Sequence, residues 1–263
     1  MLKKRIIFTL LYSNGFFVQS RNFNLQIVGD INWLKHNYNF KKISRFIDEL
    51  IIIDISRNQK NLINFVKAVR EISKDIFAPL TLGGGIDNFE KVKILMKNGA
   101  DKILINSNPN NLNLIKKISN SYGNQSIVVT LDFKKEKNTY FAYSINGTKK
   151  IDMSIKKFLS TVSNYPIGEI ILNSIDMDGT GQGLDFKILN FVPKNNKKSI
   201  ILSGGTGNEQ HFETGLKNQS LDAISTSNLL NFIGETFKNV RNYLINNQNQ
   251  LPIWDFEDKI FKK

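Results

Sequence analysis

The feature that most constrains this chain is a recurrence. Eight short apolar runs, at residues 5–11, 49–54, 78–82, 102–106, 126–132, 169–174, 199–203 and 223–226, are each followed by a longer amphipathic or polar segment. The runs are rich in Ile, Leu and Val without strict polar alternation, the pattern of parallel strands covered on both faces. Eight such strands interleaved with helices predict an α/β fold, a (β/α)8 TIM barrel. An open doubly wound sheet would carry a G-x-G-x-x-G turn after its first strand, and none follows Leu11. The length of 263 residues fits one barrel domain of roughly 250 residues. The barrel is expected over 1–248, with 249–263 as a peripheral tail.

The two halves also repeat, at an offset of about 120 residues. Glu49-Leu50-Ile51-Ile52 answers Glu169-Ile170-Ile171-Leu172, and Gly84-Gly85 answers Gly204-Gly205. Leu10-Leu11 answers Leu131-Asp132, and Gly99-Ala100-Asp101 answers Ser220-Leu221-Asp222. A repeat of four βα units implies two equivalent ligand-binding regions on opposite sides of one mouth. One insertion breaks the rhythm. After strand five, the alternating run Tyr140-Phe141-Ala142-Tyr143-Ser144-Ile145 is followed by Asn146-Gly147, which predicts a small β-hairpin.

Composition removes several functions. There is no cysteine, so disulfides, thiolate metal sites and a cysteine nucleophile are excluded. The two histidines, His36 and His211, are far apart in sequence, so no metal and no cofactor is expected. Any acid/base work then falls to carboxylates, lysines or tyrosines. The net charge of +13 comes from lysines scattered among asparagines and isoleucines rather than clustered on one face. A solvated surface is expected, with no nucleic-acid groove. No run of 18 apolar residues exists to cross a membrane. The opening Met1-Leu2-Lys3-Lys4-Arg5 leads into a strand pattern rather than a cleavable signal. A cytoplasmic protein is expected.

Each half places glycines directly after a strand, Gly83-Gly84-Gly85 after strand three and Gly204-Gly205 after strand seven. Glycine lets backbone approach a ligand closely, and its N–H groups can cradle phosphate oxygens. The next strands end in Asn106-Ser107 and Thr226-Ser227, expected to open helices whose N-termini favour an anion. Asp178 and Gly179, in the turn after strand six, are placed in the same phosphate-binding group, although Asp176 and Asp178 could equally cap that turn. Tight turns alone would explain one glycine pair; two copies in the same strand context favour a ligand with a phosphate at each end. Among the strand-end carboxylates Asp54, Asp132 and Asp176, the best acid/base candidate is Asp132, at the tip of strand five.

These stretches together resemble one family. Lys4-Arg5-Ile6-Ile7, Gly29-Asp30, Asp48-Glu49-Leu50, Gly83-Gly84-Gly85-Ile86, Gly99-Ala100-Asp101-Lys102, Ile105-Asn106-Ser107, the segment from Leu172 to Gly179, and Ser203-Gly204-Gly205 are similar to the cyclase subunit of imidazole glycerol phosphate synthase, the HisF family. The resemblance runs from Leu2 to about Leu244. It implies a barrel that takes ammonia from a HisH-type glutaminase docked at its bottom face, where Asp101 is expected to touch the partner. At the top face the family uses that ammonia to split and cyclise a bis-phosphorylated ribulosyl substrate. The family's two catalytic aspartates fall on Leu11 and Asp132, and the lysine of the first loop falls on Gln19. Leucine neither accepts nor donates a proton, so a paired-carboxylate mechanism is not expected.

The family closes its ammonia entrance with four charged residues, which fall on Arg5, Glu49, Lys102 and Glu169. Each begins a strand, so two cations and two anions would meet at the barrel floor, paired as buried charges must be. A complete gate above which one catalytic aspartate is missing resembles a HisF paralogue of the WbuZ type. That resemblance implies ammonia supply to a sugar amidotransferase acting on surface polysaccharide. Two alternatives stay open: a genuine lyase/cyclase of histidine biosynthesis, and a non-catalytic scaffold.

Overall fold

The computed structural model describes residues 3–57, 60–106, 112–228, 230, 232–234 and 236–252. Eight parallel strands form the barrel: β1 (Arg5–Ser13), β4 (Glu49–Asp54), β5 (Leu80–Gly83), β6 (Lys102–Asn106), β7 (Ile127–Glu136), β10 (Glu169–Ser174), β11 (Ser199–Ser203) and β12 (Ala223–Thr226). They hydrogen-bond in that order, and the sheet closes because β12 pairs with β1 while β10 pairs with both β7 and β11. The expected (β/α)8 architecture is the one found. Helices α3 (Leu62–Ser73), α4 (Phe89–Lys97), α5 (Leu112–Tyr122), α6 (Ile155–Ser163), α7 (Glu209–Leu216) and α8 (Thr236–Asn246) follow strands, and α1 (Ile31–Asn37) and α2 (Phe40–Ile43) fill the first connection.

The asparagine-rich composition has a local use. Asn61, Asn88 and Asn208 cap α3, α4 and α7, each side chain accepting from the backbone N–H three residues on. Each such cap stabilises its helix by about 1 kcal/mol.

Two hairpins stand on the top of the barrel. β8 (Thr139–Ser144) and β9 (Lys149–Ser154) extend β7 antiparallel, as the Asn146-Gly147 signal predicted. The other hairpin was not anticipated: β2 (Phe16–Arg21) and β3 (Asn24–Gly29) fold back along β1. The turn into β2 was signalled, because Asn14-Gly15 sits between two apolar runs and both residues take positive φ, 50° and 94°; β2 and β3 are joined at Asn22-Phe23, with φ of 49° and 63°.

Period-2 alternation sorts the strand residues into two cores. Ile6, Phe8 and Leu10 of β1 face the helices, within the large outer core. Ile7, Ile51, Leu104, Val128, Ile171, Ile201 and Ala223 form a separate buried layer inside the barrel. The strand-start carboxylates repeat as the halves do. Asp101 N–H donates to Leu80 O and its Oδ2 accepts from Leu80 N, both at 2.8 Å; Asp222 and Ile200 exchange the same pair of bonds at 2.9 Å. Asp48 does this with Ile6 at 2.8 Å, and its carboxylate is held 2.9 Å from buried Arg241 of α8. Arg241 also donates to Pro252 O, Lys4 N–H to Gln250 O, and Leu251 is buried, so residues 249–252 lie docked beneath β1.

Candidate functional site: a charged floor beneath a polar mouth

The first inward residues of β1, β4, β6 and β10 are Arg5, Glu49, Lys102 and Glu169, and the barrel brings all four together. Arg5 Nη1 lies 3.0 Å from Glu49 Oε2 and 2.8 Å from Glu169 Oε1. Lys102 Nζ lies 2.8 Å from Glu49 Oε2 and 3.2 Å from Glu169 Oε1. The result is a closed ring of alternating charge. Two neutral neighbours complete it: Thr81 Oγ1 donates to Glu49 Oε1 at 2.5 Å and Arg5 Nη2 to Ser199 Oγ at 3.1 Å. Neither was singled out in the sequence, where a lone hydroxyl in a strand carries no distinct signal. Glu49 is 1% exposed, so its charge is tolerable only because both cations reach it.

Directly above the ring sits the apolar layer, and above that layer the barrel opens into a cavity of about 710 Å³. Ile51, Leu104 and Ile171 of the layer are also lining residues of the cavity. The layer is therefore the whole separation between floor and mouth. At the next inward level Thr9, Thr130, Ser203 and Ser225 are small and polar while Ile53 of β4 is apolar, with Thr9 Oγ1 and Ser225 Oγ 2.7 Å apart.

Asp132 stands at the next level, 7% exposed and lining the cavity. Its Oδ1 accepts from Asn173 Nδ2 at 2.9 Å and its Oδ2 from Asn106 Nδ2 at 3.1 Å. Burial pushes its pKa up to about 6, the two amide donors pull it down, and the charge of Asp178 raises it slightly. A carboxyl so poised can take or give a proton near neutral pH. Leu11 of β1 lines the same cavity and is 9% exposed. It offers no proton carrier to pair with Asp132. Gln19 sits on β2, with its Oε1 buried and without a hydrogen-bond partner.

The two glycine turns occupy the two sides of the mouth. Gly84 and Gly85 line the cavity with φ of 112° and 65°. Backbone packing alone requires Gly84, since an added Cβ would lie 2.1 Å from Asp54 O. Gly204 and Gly205 line a small side pocket with Gly179, Thr206, Thr226 and Ser227. This pocket shares Ser20 and Ser227 with the main cavity. Thr206 Oγ1 is buried there without a partner. Thr226 Oγ1 donates to Thr206 O at 3.1 Å.

Several expected residues do something more specific than foreseen. Asp178 is buried, and its Oδ2 accepts from Ser20 Oγ at 2.5 Å and from Phe23 N–H at 3.0 Å. Its carboxylate thus ties the β2–β3 turn to the loop after β10. Asn106 directs its amide at Asp132, and Asp101 uses a carboxylate oxygen on β5. The expectation that Thr226-Ser227 opens a helix is corrected: Thr226 ends β12, and Ser227 and Asn228 are described as loop. Asn106 ends β6, and Ser107, where the other helix was expected to open, lies outside the described residues. Sequence reasoning missed Asn173, Lys60 and Thr206, which the barrel alone brings to the mouth. Among the described residues no group of three His, Asp or Glu could hold a metal ion, and no helix is long and apolar enough to cross a membrane.

The comparisons with known proteins give the family. The family described as histidine biosynthesis protein matches residues 5–232. The hisF2 protein of Parasynechococcus marenigrum (strain WH8102), provisionally named an imidazole glycerol phosphate synthase subunit, is 45% identical over 239 residues, covering 90% of this chain and 89% of that protein. The imidazole glycerol phosphate synthase subunit HisF of Clostridium botulinum (strain 657 / Type Ba4) is 36% identical over 249 residues, covering 93% of this chain and 96% of that protein. HisF of Staphylococcus carnosus (strain TM300) is 33% identical over 248 residues, with the same coverage. A barrel with a charged floor, a polar mouth and this match over nearly its whole length belongs to the histidine-biosynthesis protein family, as a homologue of the imidazole glycerol phosphate synthase subunit HisF.

Proposed function

We propose that the chain is the synthase-side subunit of a glutamine-dependent complex, conducting ammonia from a HisH-type glutaminase at its floor to its mouth. The carrying observation is the stack along the barrel axis: a closed ring of four charges, one apolar layer, then a cavity with four hydroxyls near its base and Asp132 above them. Neutral ammonia, unlike ammonium, crosses an apolar layer at low cost, because no ion is desolvated. Arg5, Glu49, Lys102 and Glu169 serve as the gate. Lys102 is its movable member, since a single ammonium on a flexible stem holds both glutamates while Arg5 is additionally fixed to Ser199. Asp101 is assigned to the docking face.

At the mouth, Gly84, Gly85, Asn106, Ser107, Gly179, Gly204, Gly205, Thr226 and Ser227 are the candidates for holding a phosphorylated ligand, with Asp178 shaping the turn beside them. Asp132 is the proton carrier assigned to the chemistry, and Leu11 faces it across the cavity. General acid/base groups contribute about 10²–10⁴-fold each, so a mouth lacking the second acid delivers ammonia better than it cyclises. The acceptor in this reading is a separate sugar amidotransferase making surface polysaccharide, as in the WbuZ-type subgroup. The test is reconstitution with the cognate glutaminase: glutaminase turnover rises when this chain binds, and absence of any complex refutes the reading.

A second reading is a working cyclase of histidine biosynthesis with a single aspartate. The pKa of about 6 at Asp132 favours it, because that lies near the pH of operation. Growth of a cyclase-deficient histidine auxotroph carrying this chain would decide for the cyclase. A scaffold without transfer is separated from both by Glu169→Gln, which leaves a scaffold's function unchanged.

A further inference from the structure

The two glycine turns of the mouth are alike in backbone but not in charge. Beside Gly204–Gly205 the pocket is lined by glycines, hydroxyls and Asn228, with no lysine or arginine among the lining residues. Beside Gly84–Gly85 lies Lys60. Its stem crosses Gly85 so closely that a Cβ added there would sit 2.4 Å from Lys60 Cδ and 2.8 Å from Cε. Lys60 thus lies directly over Gly85, whose φ of 65° independently favours glycine.

We propose that Lys60 is the charged ligand of a phosphomonoester seated against Gly84–Gly85. The mouth then has one cationic seat and one neutral seat. The proposal rests on the reading that the mouth takes a phosphorylated ligand. Lys60 is only partly satisfied by the protein. Its Nζ donates to Asp54 main-chain O, and the nearest carboxylate oxygen, Asp54 Oδ1, is 3.6 Å away. That oxygen already accepts from Ser56 N at 2.9 Å and Ser56 Oγ at 2.6 Å. Lys60 lines the cavity and its side chain is 30% exposed. Burial pushes its ammonium pKa down, Asp54 pulls it back up and Lys91 opposes. A phosphate oxygen in the cavity would supply the counter-charge that Asp54 supplies poorly. Lys91 is committed elsewhere: its Nζ donates to Gly85 O at 3.0 Å and pairs with Asp87 at 2.9 Å. Lys91 braces the turn and Lys60 meets the ligand.

The two seats predict different responses to salt and to mutation. A charge-assisted contact is screened by salt and is lost with the ammonium, whereas backbone N–H and hydroxyl contacts are not. The experiment titrates inorganic phosphate into the intact protein and follows the backbone amides of Gly84, Gly85, Gly204 and Gly205 by two-dimensional NMR. In Lys60→Met the midpoint at Gly84 and Gly85 moves to at least about tenfold higher phosphate. The Gly204 and Gly205 midpoint stays within about twofold, which also certifies the fold, and Lys60→Arg restores most of the lost affinity. In wild type, raising salt weakens the first pair of amides more than the second. If wild type binds at Gly84 and Gly85 and Lys60→Met binds there equally well, the assignment of Lys60 is overturned. If no glycine amide of wild type responds to phosphate, the underlying reading of the mouth falls first, and Lys60 with it.

Discussion

Replacing Asp132 by asparagine isolates the energetic strain in the mouth. Asp132 is raised from 3.8 to about 6, first by burial, against the pull of Asn173 and Asn106. A shift of about two units corresponds to about 3 kcal/mol. The sign follows from proton binding. The folded state holds this proton more tightly than the unfolded state, so the favourable contribution is complete below pH 3.8 and disappears as pH rises through about 6. At pH 7.5 the wild type therefore carries a buried anion that costs about 3 kcal/mol. Asparagine removes the charge, but its own NH2 faces one of the two amide donors, which sacrifices about 1 kcal/mol of hydrogen bonding. Asp132→Asn should then be about 2 kcal/mol more stable than wild type at pH 7.5 and nearly equal to it at pH 4.5, measured by urea unfolding. A variant less stable at pH 7.5, or a gain just as large at pH 4.5, would refute the reasoning.

Other perturbations have separate causes. Lys102→Met leaves Arg5 as the only bridge between Glu49 and Glu169; the full loss of a buried partner costs 3–5 kcal/mol, and the remaining bridge reduces this to about 2 kcal/mol, or roughly 5 °C in a thermal melt. Arg241→Met strands the buried Asp48 and should cost about 3–5 kcal/mol; a thermal shift under about 2 °C would contradict the pairing. It also frees Pro252 O, so cleavage of the tail by a protease should quicken. Gly205→Ala puts a Cβ 1.9 Å from Gly183 O at a φ of 97°, and should destabilise the barrel by about 3 kcal/mol while abolishing anion binding at that turn. Leu11→Asp combined with Gln19→Lys should give measurable cyclase turnover on the bis-phosphorylated ribulosyl substrate with ammonium salt. No turnover in the folded double variant would mean that the mouth differs in more than these two residues.

The barrel was legible because its strands are buried on both faces and its halves repeat, so both the apolar runs and the glycine turns announced themselves twice. The charged ring was legible through the family resemblance, which pointed to the four positions; each begins an apolar strand, so its charge has nowhere to go but the axis or the solvent. The β2–β3 hairpin was overlooked because its outer strand, Asn24–Gly29, is short and has no buried residue. Asn173 and Lys60 were invisible for a different reason. Their surroundings are set by residues from other segments, Asp132 beside Asn173 and Gly85 beside Lys60, and nothing local in an asparagine or a lysine marks such a meeting. Asp178 lines the mouth, yet which groups its carboxylate serves depended on the unforeseen hairpin.

The central claim is that nitrogen moves through the barrel rather than through solvent. It is tested by reconstituting the chain with a HisH-type glutaminase and the sugar amidotransferase, feeding amide-15N glutamine, and adding excess unlabelled ammonium. The account predicts product that keeps most of its 15N in wild type and loses it when Ala223, in the apolar layer, is replaced by Phe. Product labelled only in proportion to bulk ammonium, with wild type and Ala223→Phe alike, would contradict it.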